Sequence, residues 1–330
     1  MFTSNTFRRS TPLVAWLIVL LAVPLIFAQK DKRKDKKEEA VPADASAVLW
    51  REPANISSED LFLGPGGEAM KPDLSNVTFI KEDVQGYSVK YHVRDGAGRK
   101  WFVKIGNEAR PETAAVRLLW AVGYVTEINY LAPCVQIKGA PKPRKKVERC
   151  EGDGFADVRF EARPDNVKRL DIWDWKKNPF VGTKELNGLA VMMALLNNWD
   201  LKNENNKILL LKGDDGTSQL QYVISDLGAT FGKTGGAIAH SRNEPEKYVK
   251  TKFVEQVKGD HVQFAFSGKQ ADMIDKVSVE QAKWIGGLLA QLSDQQLQDA
   301  FRAANFKPDE IQLLTQAVRA RIEQLVNLPG

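Results

Sequence analysis

The sequence contains few residues that bind soft metals or form cross-links. Its 330 residues include two cysteines and three histidines. The histidines His92, His240 and His261 are far apart, and no second ligand type follows at metal-binding spacing, which argues against a zinc site. Cys134 and Cys150 enclose a short loop. We expect them to form a disulfide in an oxidising compartment and to remain buried thiols in the cytosol.

The chain also lacks a large excess of charge. Its net charge is +5, and residues 138–149, "KGAPKPRKKVER", account for that excess with six basic residues against one glutamate. Two prolines in this segment predict a solvated loop. No aromatic residue is interleaved with the basic residues, as a base-stacking surface would require, so we expect no specific nucleic-acid binding.

The N-terminus resembles an export signal. Arg8 and Arg9 precede an apolar stretch, residues 13–28, that ends in the small residue Ala28, which is the usual order of such a signal. We therefore expect an exported protein, in the cell envelope or secreted, with cleavage after Ala28. The lysine-rich segment that follows favours an alternative, an uncleaved anchor that associates with the membrane and leaves the domain in the cytoplasm.

The first ordered element is predicted to be a hairpin. Apolar and polar residues alternate through residues 87–94, and Asp95 and Gly96 provide a turn into the strand "RKWFVKI", a pattern typical of paired strands. In that second strand Lys104 lies on the face opposite Trp101. A lysine on a strand is commonly a charge at a sheet edge, so a functional reading requires an acidic partner.

The following segment offers that partner. Pro111 suits the first position of a helix and Gly123 the position after its end. Glu112 then shares a face with the apolar residues of the helix, which places its carboxylate on the buried side. If that side faces the preceding strand, an ion pair with Lys104 is favoured. A simple helix-dipole role is the alternative. Glu108 is the weaker candidate, because Arg110 precedes proline and is expected outside the helix.

The second half begins with a predicted helix that Thr183 caps. The loop "NNWDLKNENN", residues 197–206, follows this helix, and such a run of Asn and Asp also suits an ordinary turn. Two strands joined near Gly213 then lead to Asp226, Leu227 and Gly228. From about residue 277 onward, caps and apolar spacing predict helices.

The order of these features resembles the plan of protein kinases: a strand lysine, a helix glutamate, a D-L-K-x-x-N loop, a hairpin and D-L-G. The resemblance covers roughly residues 80–235. Asn198 and Trp199 replace the usual His-Arg, no G-x-G-x-x-G lies between Asn76 and Tyr87, and A-P-E is absent. The chain is therefore most similar to the atypical kinases, namely the HipA-like, lipid-kinase-like and secretory-pathway groups, or to a pseudokinase.

The resemblance implies an α+β, two-lobed fold, with a small antiparallel sheet lobe and a larger, mainly helical lobe. The expected regions are a signal peptide or anchor (1–28), a charged linker with a loop-rich lead-in (29–76), the sheet lobe (77–135), a basic hinge loop (136–154) and the helical lobe (155–330).

The resemblance also implies roles for individual residues, with ATP or another nucleotide and Mg²⁺ or Mn²⁺ as cofactors. Lys104 would bind the inner phosphates of the nucleotide, and Glu112 would orient Lys104. Asp200 would be the catalytic base and Lys202 would stabilise the transferred phosphate. Asn205 and Asp226 would bind the metal.

Three functions remain open at this point. An active atypical kinase would phosphorylate an unknown protein, lipid or small molecule. A pseudokinase or nucleotide-binding module would use the same residues without turnover. A non-catalytic envelope interaction protein would require the ordered matches to be coincidental, which makes it the least favoured of the three.

Overall fold

The computed structural model describes residues 41–213, 215–235 and 239–329. The predicted signal peptide or anchor, residues 1–28, lies outside these residues, as does the start of the charged linker. In the part of the chain that is described, no helix is long and apolar enough to span a membrane.

Strands dominate the first half of the described chain and helices dominate its end. The strands are β1 (Ser46–Val48), β2 (Val77–Asp83), β3 (Val89–Arg94), β4 (Lys100–Ile105), β5 (Asn129–Val135), β6 (Ile137–Lys138), β7 (Arg149–Cys150), β8 (Gly154–Ala162), β9 (Val167–Arg169), β10 (Asn206–Lys212), β11 (Ser218–Ile224), β12 (Val254–Lys258) and β13 (His261–Phe264). The helices are α1 (Ala109–Ala121), α2 (Lys184–Leu195), α3 (Pro245–Tyr248), α4 (Ala271–Ile274), α5 (Val279–Leu289), α6 (Asp294–Ala303) and α7 (Pro308–Val326).

The sheet lobe is a mainly antiparallel sheet in the order β5-β8-β4-β3-β2-β6, with β7 also paired to β8. Strands β3 and β4 form the predicted hairpin. Tyr91, Trp101 and Val103 pack in a buried apolar cluster on one face of the sheet. Because side chains alternate along a strand, Lys104 lies on the other face. Its neighbours across the sheet are Lys90 on β3 and Arg159 on β8.

The sheet lobe extends further along the chain than predicted. Strand β8 pairs with both β4 and β5, so the sheet reaches Ala162, beyond the boundary expected at residue 154. The basic loop is therefore an insertion within the sheet lobe rather than a hinge. Cys134 and Cys150 form a disulfide, which is the state expected for an oxidising compartment, and it ties the two ends of this loop to the strands beside β8.

Helix α1 begins earlier than predicted. It starts at Ala109, so Arg110 lies inside the helix and the expectation that it lies outside is wrong. Proline is tolerated in a first turn, where amide groups have no partner in the helix. The helical conformation of Arg110 is supported by its guanidinium, which donates to Glu310 at 2.5 Å and stacks on Phe306.

The helical lobe is built around α2, whose side chains are almost all buried in the larger apolar cluster. Thr183 caps this helix as predicted, because its hydroxyl accepts from the Leu186 amide at 3.2 Å. Strands β10 and β11 form the predicted antiparallel pair beyond the loop that follows α2. Capping boxes at Ser278 and Ser293 start α5 and α6.

The N-terminal segment packs on this framework. Ile56 and Leu61 are buried in the same cluster as α1 and α2. Gln296 of α6 donates to the Ile56 carbonyl at 2.8 Å and to the Glu59 carbonyl at 3.0 Å. Residues 41–76 are therefore part of the folded domain rather than a linker over that range.

Candidate functional site

Lys104 lies at the centre of a buried cluster of acids. Its Nζ is 2.7 Å from Glu112 Oε2, 3.1 Å from Asp226 Oδ1 and 3.5 Å from Glu108 Oε2. Strand β4 provides the lysine and α1 provides Glu112, as predicted. Burial alone would lower the pKa of Lys104, but Asp226 and Glu112 raise it above its ordinary value. The lysine therefore stays charged in the folded protein.

Asp226 follows β11 and faces Lys104 across the two lobes. Its Oδ1 also accepts from the Gly228 amide at 3.2 Å. Burial would raise the pKa of Asp226, but the charge and hydrogen bond of Lys104 and the Gly228 amide lower it to about 2. Lys104 and Asp226 are therefore neighbours in the structure, and the aspartate is a carboxylate at physiological pH.

The Asp200 loop is held against the Asp226 segment by its backbone. The Asn205 carbonyl accepts from the amides of Ser225 at 2.8 Å and Asp226 at 3.2 Å. The Asn205 side chain donates to the Asp200 carbonyl at 2.6 Å. Lys202 Nζ lies 2.9 Å from both oxygens of Asp200. The structure thus brings together the residues that the D-L-K-x-x-N and D-L-G motifs singled out.

The side-chain oxygens of Asn205 and Asp226 suit a small hard cation. Asp226 Oδ2 and the Asn205 side-chain oxygen make no hydrogen bond within the described residues. Among those residues, no group of three or more His, Cys, Asp or Glu side chains is arranged to hold a metal. Mg²⁺ commonly binds through one or two protein oxygens together with nucleotide phosphates and water. Asn205 and Asp226 therefore fit a metal that arrives with a nucleotide.

Sequence reasoning missed a second layer of buried charges behind Lys104. Arg159 Nη1 lies 3.2 Å from Glu112 Oε1, and its Nη2 lies 2.7 Å from Glu161 Oε2. Arg159 and Glu161 are 1% exposed. Glu161 also binds Arg163 and lies 2.6 Å from Arg169 Nη2. The sequence contained a signal for this layer. Charged residues two positions apart on a strand lie on the same face, which suggests that this face is polar.

Glu108 is more than the weak candidate that the sequence suggested. It is the residue before α1, and its carboxylate contacts Lys104, accepts from Ser88 Oγ at 2.5 Å and binds Arg242. Gly228 packs against it so closely that a Cβ there would lie 2.6 Å from Glu108 Cβ. Glu108 therefore connects the β2–β3 turn, the strand lysine and the segment after Asp226.

Lys90 was also missed. It pairs with Lys104 across β3 and β4, and burial together with the neighbouring Lys104 lowers its pKa. Lys90 and Lys104 are therefore two cations on one strand face, beside the carboxylates that surround Lys104. The alternation in residues 87–94 already placed Lys90 on the same face as His92, although its neighbour on β4 was not evident.

A cavity of about 780 Å³ opens beside the cluster, and Ser88, Glu108, Trp199 and Arg242 are among the residues that line it. Trp199 replaces the arginine that usually precedes the catalytic aspartate of kinases. Its indole donates to the Ser241 carbonyl at 2.9 Å, so this tryptophan anchors the segment around residue 241.

These features define a protein-kinase-like fold of the α+β class. A small sheet lobe supplies a lysine paired with a helix glutamate. A larger helical lobe supplies the Asp200 loop and Asp226, and both lobes face the same cleft. The fold is therefore kinase-like, and it departs from the usual kinase motifs at Asn198 and Trp199.

No protein-family profile matches this chain, and no curated protein sequence does. Among solved structures it is similar to the Helicobacter pylori proinflammatory kinase CtkA, with a TM-score of 0.44 and 12% identity over 78% of this chain and 97% of that chain. A Golgi casein kinase with Mn/ADP bound gives a TM-score of 0.41 and 8% identity, covering 78% and 73%. The Rio2 kinase from Chaetomium thermophilum, in an ADP/Mg²⁺-phosphoaspartate complex, gives 0.32 and 15%, covering 78% and 74%.

Proposed function

We propose that this protein is an exported or membrane-anchored atypical kinase that transfers a phosphoryl group from a nucleotide to a hydroxyl of a protein, lipid or small molecule. The observation that carries the proposal is the convergence of Lys104, Glu112 and Asp226 in one cluster, with the Asp200 loop bonded to the Asp226 backbone. Phosphoryl transfer depends on such positioning and charge stabilisation.

Each residue has a role that its position supports. Lys104 binds the inner phosphates of ATP or a similar nucleotide, and Glu112 keeps the ammonium aimed at them. Asp200 accepts the proton of the attacking hydroxyl. Lys202 leaves Asp200 and compensates the charge on the transferred group.

Asn205 and Asp226 would hold Mg²⁺ or Mn²⁺, which when bound neutralises charge on the nucleotide phosphates. Lys90 adds a second cation on the same strand face as Lys104 and offsets part of the negative charge of the surrounding carboxylates.

Two substitutions test the proposal. Asp226→Ala removes a metal-binding carboxylate, so metal-dependent nucleotide affinity should fall at least about tenfold. Asp200→Ala should leave that affinity nearly unchanged and slow phosphoryl transfer about 100-fold or more. Calorimetry with Mg²⁺-ADP and a radiolabelled ATP transfer assay measure the two quantities.

Asp171→Ala, at an exposed aspartate of the helical lobe, is the matched control and should change neither quantity. If wild type binds no nucleotide with Mg²⁺ or Mn²⁺, and Asp226→Ala behaves as wild type, the proposed function is wrong.

A pseudokinase that binds nucleotide without transfer is the second candidate. The observation that favours it is that the Asp200 carboxylate is already bound within its own loop. Lys202 contacts both of its oxygens, and the Asn205 amide nitrogen lies 3.4 Å from Oδ2. As long as Lys202 stays paired with Asp200, its positive charge opposes protonation of that carboxylate. Nucleotide binding by wild type without transfer to itself, protein or lipid would favour this candidate.

Export is supported by the disulfide between Cys134 and Cys150, because such bonds persist mainly in oxidising compartments. The N-terminal pattern of Arg8, Arg9 and an apolar stretch supports it as well. Mass analysis of the mature protein tests cleavage after Ala28. An intact N-terminus in a membrane fraction would favour the anchored alternative.

A further inference from the structure

The turn between β2 and β3, residues 84–88, lies beside the lysine cluster. Strand β3 begins at Val89, which pairs with Ile105, the residue after Lys104. Ser88, at the end of the turn, donates to Glu108, and Glu108 in turn lies 3.5 Å from Lys104 Nζ. If the proposed function holds, this turn lies over the phosphates of the nucleotide.

The turn has little packing of its own. The side chains of Val84 and Tyr87 are 67% and 75% exposed. Gly86 has a φ of 72° and is the only glycine in residues 77–95, so the glycine pattern that usually shapes such a loop is absent. A turn with few buried contacts fluctuates unless other groups hold it.

Arg144 supplies such contacts from the basic loop. Its guanidinium donates to the carbonyls of Val84 at 3.0 Å, Gly86 at 3.0 Å and Ser88 at 2.6 Å, and its Nε lies 3.7 Å from Glu82. A planar guanidinium carries five donors in a fixed geometry, so it can bond several carbonyls at once, which a lysine ammonium does less well.

The disulfide holds this part of the loop in place. Cys134 and Cys150 close residues 135–149 and belong to strands that both pair with β8. Lys145, next to Arg144, places its Nζ 3.1 Å from the centre of the Tyr87 ring. The basic loop is therefore fixed to the sheet at its ends and contacts the turn at its middle.

We propose that Arg144 is a positioning residue that fixes the β2–β3 turn for nucleotide binding, and that the Cys134–Cys150 disulfide keeps Arg144 within reach of the turn. The contacts between Arg144 and the turn belong to the protein itself. Their consequence for affinity rests on the proposed function. In this protein a tethered arginine does what a glycine-rich sequence does in ordinary kinases, which is to set the shape of the turn.

Hydrogen exchange tests the contacts without any nucleotide. In Arg144→Ala the amides of residues 85–88 should exchange several-fold faster than in wild type, because the turn loses three hydrogen bonds. Arg149→Ala is the matched control from the same loop, since Arg149 donates to the Asp153 carbonyl and stacks on Phe155. Equal exchange in all three proteins overturns the proposal.

Nucleotide affinity tests the consequence. Arg144→Ala should raise the Kd for Mg²⁺-ADP about tenfold, equivalent to one hydrogen bond to a charged group. Arg144→Lys should recover only part of this loss, and the double variant Cys134→Ser with Cys150→Ser should shift Kd in the same direction as Arg144→Ala. Arg149→Ala should bind as wild type does.

The outcomes separate the two proposals. Faster exchange in Arg144→Ala with an unchanged Kd overturns the positioning role while leaving the proposed function intact. If wild type binds no nucleotide, the proposed function fails, and the exchange rates alone decide whether Arg144 orders the turn.

Discussion

Replacing Glu112 with glutamine tests how much the central charge cluster contributes to stability. The glutamate is fully buried, with Oε2 2.7 Å from Lys104 and Oε1 3.2 Å from Arg159. Glutamine preserves the size of the side chain, removes its charge and turns an amide donor towards one of the two cations. The substitution therefore perturbs electrostatics with little change in packing.

The expected cost follows from what remains around the two cations. Removing one partner of a buried ion pair typically costs about 3–5 kcal/mol. Lys104 keeps Asp226 at 3.1 Å, and Arg159 keeps Glu161 at 2.7 Å. Because neither cation is left alone, we expect the lower end of that range, about 3 kcal/mol in the free energy of unfolding.

Urea unfolding of wild type and Glu112→Gln measures this loss. Glu68→Gln is the matched control, because Glu68 pairs with Lys71 at 3.3 Å on the surface, where their side chains are 70% and 53% exposed. The control should lose less than about 1 kcal/mol. Equal losses in the two variants would refute the reasoning, since burial of the pair would then add nothing.

Two further predictions concern a cap and a titration. Thr183→Ala should lower the free energy of unfolding by about 1 kcal/mol in urea unfolding, because the Leu186 amide loses its acceptor; no change would contradict a capping role. The pKa of Asp226 is held at about 2, below its ordinary value of 3.8, by Lys104 and the Gly228 amide against the effect of burial. The stability difference between wild type and Asp226→Asn should therefore stay constant from about pH 8 to about pH 5 and shrink as the pH falls through about 2, in unfolding curves measured over that range. A difference that already shrinks between about pH 7 and pH 5 would show that Asp226 is not held ionised.

Local signals in the sequence predicted much of the fold. Alternation and an Asp-Gly turn indicated the β3–β4 hairpin, and Thr183 indicated the start of α2 as a cap. These signals depend on residues within one or two turns of each other, so they can be read without knowing the tertiary structure.

The placement of β8 could not be predicted in the same way. Whether a strand joins one sheet or another depends on partners far away in sequence, and β8 pairs with β4 and β5 across the basic loop. Charged residues such as Arg159 and Glu161 are usually exposed, so they give no local sign of a buried strand. Their burial depends on mutual pairing, which becomes visible only when β4, β8 and α1 are placed together.

The candidate site likewise contains residues that a sequence motif predicted and residues that only the tertiary structure reveals. The order of Lys104, Glu112, Asp200 and Asp226 indicated a kinase-like arrangement, because the motif spacing is a property of the sequence. Glu108 was ranked only as the weaker candidate and Lys90 was not recognised, since their roles come from contacts across strands and between lobes rather than from a motif.

The buried charges behind the site have a consequence for how the lobes are held together. Arg159 pairs with both Glu112 on α1 and Glu161 on β8. Glu161 also pairs with Arg169 on β9, a strand that pairs with β10 in a second sheet. Arg169 also contacts Ser225 Oγ at 3.2 Å, one residue before Asp226. Ion pairs in a low-dielectric interior restrain the geometry of the side chains that form them. The same charges therefore orient Glu112 in one lobe and the Asp226 segment in the other, so the two halves of the site are positioned by one connected set of ion pairs.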